Sequence, residues 1–285
     1  ARSFRSTKCT FTRRSVKNRC AFRVSELFRV PNICTSMPAN LTIVSDRPSH
    51  YRPAWWIPGG HAQTLWGKLA PARQSVPTRV ERWETPDDDF LEIHRLDAPA
   101  NAPIGTPHVL LLHGLEGSIH SHYSQGLLSE MRRRGWSADL LLWRSCGSEP
   151  NRARRFYHSG ETGDLALAIH RITLERPNMP LAIAGVSLGG NILLKYLGEQ
   201  RNTAHTMITA AAAVSVPFDL AQGSDYINRG FSKLYQKYFL DSLKRKAIES
   251  RRIECLRRGV VRNCALRERT IQLAGRLGEL LSDVA

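Results

Sequence analysis

Gly185-Val186-Ser187-Leu188-Gly189 joins an apolar run at 181–186 (LAIAGV) to a segment of helical periodicity at 189–199. A serine between two glycines at a strand-to-helix turn is an arrangement that makes a hydroxyl a nucleophile. So tight a turn forces the serine into a strained backbone conformation and lifts its Oγ clear of the sheet edge. The flanking glycines remove the Cβ atoms that would clash there. The start of the following helix adds unpaired N–H groups and the positive end of its dipole, so the Leu188 N–H is aimed at a developing oxyanion. The five-residue pattern alone is weak, since a serine here could simply cap the helix. Its place between a buried strand and a helix is what favours the nucleophile.

A second stretch supplies the complementary part. The apolar run 108–112 (HVLLL) leads directly into His113-Gly114-Leu115-Glu116-Gly117. An oxyanion hole needs two donors, one from the residue after the nucleophile and one from the loop after an earlier strand. Leu188 and Leu115 are the backbone candidates, and Ser187 is the candidate catalytic residue. Together they point to acyl transfer.

The elements that must position these residues follow from periodicity and punctuation. Residues 78–84 and 90–95 alternate as two half-buried strands around the turn Pro86-Asp87-Asp88-Asp89. Residues 108–112 form a strand covered on both faces. A helix is predicted over 121–135, ending at Gly135, followed by a strand at 138–143. A helix over 161–176, a strand at 181–186, a helix at 189–199 and a strand near 207–215 continue the alternation. Strands alternating with helices at this spacing predict an α/β domain, with a mostly parallel sheet and helices on both faces.

These motifs and their surroundings resemble the YheT-like branch of the α/β-hydrolase superfamily, the AB hydrolase 4 family. The similar stretches are Gly59-Gly60-His61-Ala62-Gln63-Thr64, His113-Gly114-Leu115-Glu116-Gly117-Ser118 and Trp143-Arg144-Ser145-Cys146-Gly147. They continue with Glu149-Pro150-Asn151-Arg152, Tyr157-His158-Ser159-Gly160-Glu161-Thr162 and Ser187-Leu188-Gly189-Gly190-Asn191. Tyr196-Leu197-Gly198-Glu199 and Val216-Pro217-Phe218-Asp219-Leu220 complete the series. The resemblance implies a carboxylic-ester hydrolase with a Ser–Asp–His triad, no metal and no organic cofactor, acting on a small ester or lipid-like substrate such as an acylglycerol or a short-to-medium acyl ester.

The resemblance also implies a later acid in an Asp-Asp-Pro context and a base in a Gly-Gly-His-like context. Nothing after Lys246 resembles either, and no histidine follows His205. Triad order on this fold is Ser, then Asp or Glu, then His, so the base is expected to be missing from this chain. Asp219 is the one candidate acid, and its place after a predicted strand fits a structural turn better. His61, His113, His120, His122 and His158 could be recruited as a base, though each also reads as a loop residue or a backbone anchor. The alternative to a serine esterase is therefore a catalytically inactive fragment or a binding-only pseudoenzyme.

Composition sets the remaining bounds. The 285-residue chain has 41 Lys and Arg against 25 Asp and Glu, a formal net charge of +16. Residues 1–36 hold nine bases and one acid, and residues 244–285 hold eleven and five. The middle, 37–243, holds 21 and 19, a net of +2. The excess thus belongs to the ends, neither of which contains a recognisable nucleic-acid-binding module, so a nucleic-acid partner is not expected. No apolar run approaches 18 residues, and no stable membrane insertion is expected. The six cysteines lack zinc-site spacing, and Cys146 is the only one in the middle. The sequence predicts three regions: a basic extension at 1–36, either non-native or targeting-like; an incomplete α/β-hydrolase domain at 37–246; and a basic tail at 247–285 unlike the family, with the C-terminal part of the fold expected to be truncated or replaced. A cytoplasmic setting is expected, with a mitochondrial one as the alternative if 1–36 is a transit peptide.

Overall fold

The run HVLLL forms strand β3 (His108–Leu112), buried along its whole length. Its side chains alternate between two apolar layers, as a period of two requires. Val109 and Leu111 pack in one layer with Leu127, Leu128 and Met131 of helix α2 (His122–Arg134). Leu110 and Leu112 pack in the other with Leu165, Ile169 and Ile172 of α3 (Gly163–Glu175) and with Ile192, Leu193 and Tyr196 of α4 (Leu188–Gln200). Helices therefore cover both faces, and each layer buries enough branched apolar surface to hold the sheet between them.

This computed structural model describes residues 54–69, 75–153 and 155–257. The described residues divide into two compact units, 54–69 and 75–257. The larger unit holds a six-stranded sheet in the order β1-β2-β4-β3-β5-β6. Its other strands are β1 (Arg79–Glu84), β2 (Phe90–Leu96), β4 (Ser137–Leu142), β5 (Leu181–Val186) and β6 (Ala210–Val214). β1 and β2 form an antiparallel hairpin over the predicted turn, and β2 also runs antiparallel to β4. β4, β3, β5 and β6 are mutually parallel. The sheet is the mostly parallel one that the sequence predicts.

From β3 the chain goes to β4 on one side and then to β5 on the other. Strand order thus reverses at β3, and the C-terminal ends of β3 and β5 flank the crevice where doubly wound folds bind ligands. Leu112 is in register with Gly185, so the loops after these two strands emerge side by side.

Helix α2 stops where Gly135 adopts φ 70°, its N–H and that of Trp136 capping the carbonyls of Arg132 and Met131. Arg133 and Arg134 in that last turn pair with Glu130. A 3-10 turn at Arg201–Thr206 contains His205 and precedes β6. Helices α5 (Leu220–Ile227) and α6 (Lys233–Arg257) follow. α6 runs without a break through 246, the expected boundary between domain and tail. The smaller unit contains α1 (Gly59–Leu69), which the sequence reading lacked, with Trp56 packed edge-on against Trp66 at 5.0 Å between ring centroids. The expected extension at 1–36, and the expected tail after 257, lie outside the described residues.

Candidate active site

Ser187 sits between β5 and α4 with φ 53° and ψ −118°, a region that L-residues rarely occupy. Neighbouring structure holds it there. Its N–H donates to the Val214 carbonyl on β6 at 2.8 Å, and its own carbonyl accepts from the Asn191 N–H at 3.0 Å. The flanking glycines are required by contact. A Cβ on Gly185 would lie 2.5 Å from the Gly189 carbonyl oxygen. One on Gly189 would lie 2.6 Å from the His113 carbonyl oxygen and 2.7 Å from that of Leu112. The start of α4 is thus pressed against the end of β3, which a larger residue would prevent.

The 113–117 loop lies against this elbow. A Cβ on Gly114 would come within 3.1 Å of the Ser187 Cβ and 3.7 Å of its Oγ. Three of the loop's amides are occupied. Gly114 N–H donates to the Tyr123 hydroxyl at 3.0 Å, Glu116 N–H to the Tyr157 hydroxyl at 2.9 Å, and Gly117 N–H to the Gly114 carbonyl at 3.0 Å. Among the described residues, the Leu115 N–H between them has no partner, nor has the Leu188 N–H at the first position of α4. Two free amides on adjacent loops beside a serine hydroxyl are what a tetrahedral oxyanion would need.

His113 organises this loop. Its Nδ1 lies 2.7 Å from the Gly114 carbonyl, which can only accept, so Nδ1 carries the hydrogen. Its Nε2 accepts from the Trp143 N–H at 3.1 Å, and its carbonyl accepts from the Trp143 indole at 2.8 Å. Burial pushes the imidazole pKa down to about 4, against the pull of the Gly114 carbonyl and with help from the positive charge of Lys246. With both nitrogens engaged, His113 is an anchor and not a recruited base.

The other candidates are dispersed. His158 is exposed, accepting from the Gly160 N–H and lying 3.9 Å from Glu161. His122 stacks edge-on against Tyr123, His120 is exposed, and His61 belongs to the smaller unit. Asp219 is the N-cap of α5, its carboxylate accepting from the Gln222 N–H at 2.8 Å. Among the described residues, no side chain hydrogen-bonds the Ser187 hydroxyl.

The chain does bring one serine, histidine and aspartate together elsewhere. Ser137 Oγ lies 2.9 Å from His108 Nδ1, and His108 Nε2 lies 3.1 Å from Asp139 Oδ2. All three are buried at the N-terminal ends of β3 and β4, opposite the end carrying Ser187, and Arg95 shares Asp139 at 3.2 Å. The cluster is closed off from solvent and lies away from the loops that surround Ser187. Sequence reasoning also missed Tyr123 and Tyr157, whose hydroxyls take up the loop amides. Only Tyr157 stood in a motif that could have flagged it.

A second buried network braces the edge of the site. Arg144, 1% exposed, donates to both Asp164 oxygens at 2.8 Å, to Asp87 at 2.8 Å and to Asp89 at 2.9 Å. These contacts tie the residue after Trp143 to the β1–β2 turn and to the start of α3.

A family model described as serine aminopeptidase, S33 (Hydrolase_4) matches residues 106–269. The chain belongs to this family of α/β hydrolases. It is a YheT-like α/β hydrolase, 38% identical over 187 residues to YheT of Escherichia coli K12, covering 66% of this chain and 54% of YheT. It is 27% identical over 206 residues to human phospholipase ABHD3, covering 71% of this chain and 50% of that protein. This α/β hydrolase therefore spans about half the length of these relatives. Among solved structures, a lidless α/β serine hydrolase from Xanthomonas campestris aligns with a TM-score of 0.42 and 20% identity, over 50% of this chain and 63% of that one. Among the described residues, no group of three or more His, Cys, Asp or Glu could hold a metal ion, and no helix is long and apolar enough to cross a membrane.

Proposed function

We propose that this α/β hydrolase cleaves carboxylic esters, with Ser187 as nucleophile and the Leu115 and Leu188 N–H groups as the oxyanion hole. The observation that carries the reading is the close approach of the Gly114 loop to Ser187, beside two amides without partners among the described residues. Ser187 Oγ attacks the acyl carbon, and the carbonyl oxygen takes the negative charge between the two amides. The alkoxide takes up the proton that the Ser187 hydroxyl gives up and leaves as the alcohol, and water then adds to the acyl-serine, releasing the acid and returning a proton to Ser187 Oγ. The names of the two relatives, esterase and phospholipase, both denote ester cleavage. They favour a small ester or lipid-like substrate, for which we propose an acylglycerol or a short-to-medium acyl ester.

The second reading is an inactive or binding-only chain. It is favoured by the Ser187 hydroxyl having no basic partner among the described residues, because an unassisted serine hydroxyl is a weak nucleophile. A fluorophosphonate probe separates the two. Labelling of the wild type that disappears in Ser187→Ala supports the esterase. A wild type that stays unlabelled sinks it and leaves the binding-only reading.

A further inference from the structure

Glu116 is the neighbour of Leu115, and its surroundings are unusual. Its backbone is held at φ 54°, and its side chain is 2% exposed. The carboxylate accepts from the Tyr157 hydroxyl at 2.7 Å, from Lys246 Nζ at 2.9 Å and from the Ser242 hydroxyl. The same Tyr157 hydroxyl accepts from the Glu116 N–H, closing a ring through one residue. Burial works to raise the Glu116 pKa, but the bonds from Ser242, Tyr157 and Lys246 outweigh it and keep the group ionised. Lys246 lies 130 positions away on α6, and its Nζ also lies 3.0 Å from the Cys146 thiol and 5.9 Å from the Tyr157 ring centroid.

A buried carboxylate is a poor neighbour for an oxyanion hole. The reacting carbonyl gains negative charge only on the way to the tetrahedral intermediate, so a nearby anion raises the transition state more than the neutral bound ester. Something must cancel it. Tyr157 and Ser242 contribute oriented O–H dipoles, and Lys246 contributes the only full positive charge in contact with the carboxylate among the described residues.

We propose that Lys246 is a positioning residue for the oxyanion loop, acting through Glu116: it neutralises the buried carboxylate and ties α6 to the loop that presents the Leu115 N–H. The proposal rests on the esterase reading. It predicts that the charge of Lys246 matters to kcat and not to KM, and that it matters only while Glu116 is an anion.

The test is a double-mutant cycle on hydrolysis of p-nitrophenyl acetate, with Ser187→Ala as background and folding checked by circular dichroism. Lys246→Met should lower kcat by about tenfold with KM within about twofold, as expected for an interaction made in the transition state. Lys246→Arg, which keeps the charge, should stay within about threefold of wild type. In a Glu116→Gln background the same Lys246→Met change should lower kcat by less than about twofold. If Lys246→Met does not fold, Lys246→Gln removes the charge, keeps a donor and carries the same expectation. A wild type no faster than Ser187→Ala overturns the esterase reading, and the role of Lys246 with it. An active wild type whose Lys246→Met variant keeps its kcat, or loses as much in the Glu116→Gln background, overturns the role of Lys246 alone.

Discussion

The Nδ1 of His113 lies 2.7 Å from the carbonyl oxygen of Gly114, and that oxygen belongs to the same peptide unit as the Leu115 nitrogen. A peptide's C=O and N–H point in opposite directions in one plane. Fixing the oxygen on His113 and on the Gly117 N–H therefore aims the Leu115 N–H away from them, and among the described residues it has no partner. The imidazole can do this only as the neutral Nδ1–H tautomer, which the Trp143 N–H enforces by donating to Nε2.

That tautomer has a cost in acid. The folded pKa of about 4 lies below the ordinary 6.5, so the unfolded chain binds the extra proton between these values. The contribution of His113 is fully present above pH 6.5 and is lost as pH falls towards 4. The unfolding free energy should drop by about 2 kcal/mol between pH 7.5 and pH 5 on this account. Urea denaturation at the two pH values measures it, and His113→Asn should flatten the dependence. An equally stable wild type at both would contradict a buried neutral imidazole.

Strain at Ser187 gives a second expectation. A serine at φ 53° and ψ −118° pays for a backbone that glycine adopts freely. Ser187→Gly should be more stable than Ser187→Ala by about 1 kcal/mol, or about 3 °C in melting temperature. Both should lose reaction with a fluorophosphonate. Equal melting temperatures would mean the elbow stores no strain.

Arg144 tests the frame around the site. Replacing it with Met leaves Asp89 and Asp164 buried without their guanidinium, which should cost about 3–5 kcal/mol. Arg144→Lys should recover only part of this, because an ammonium cannot reproduce the paired bonds to Asp164 and the bonds to Asp87 and Asp89 together. Urea midpoints of the three proteins decide the order.

Asp219 separates a cap from a catalytic acid. As the N-cap of α5 it should cost about 1 kcal/mol on change to Ala and a few tenths on change to Asn. Neither variant should alter the rate of Ser187 labelling. A loss of labelling by orders of magnitude in Asp219→Asn would instead make it the acid of the triad.

Much of the sheet is readable from the chain because its causes are local. HVLLL and LAIAGV are continuous apolar runs of strand length, and Gly135 ends α2 where an αL residue is needed. α1 begins at two glycines and escapes such a reading, since glycine usually marks a stop. α5 begins at Asp219, a residue type that suits a turn as well as an N-cap, and the apolar positions of α6 keep little helical period. The elbow at Ser187 is legible for the same local reason, since glycines at 185 and 189 leave few other uses for a serine between a strand and a helix.

What the sequence by itself determined was therefore the α/β alternation, the strained strand-to-helix turn at Ser187 and the HGLEG loop beside it, all encoded within a few adjacent residues by sterics and periodicity. Only the tertiary structure decided what each polar group does. It made His113 an anchor and Asp219 a cap. It gathered Ser137, His108 and Asp139 in the interior at the end of the sheet opposite Ser187, and it set Lys246 against Glu116 across 130 positions of chain. Burial and charge pairing depend on which distant segments meet, and no spacing along a single chain specifies that.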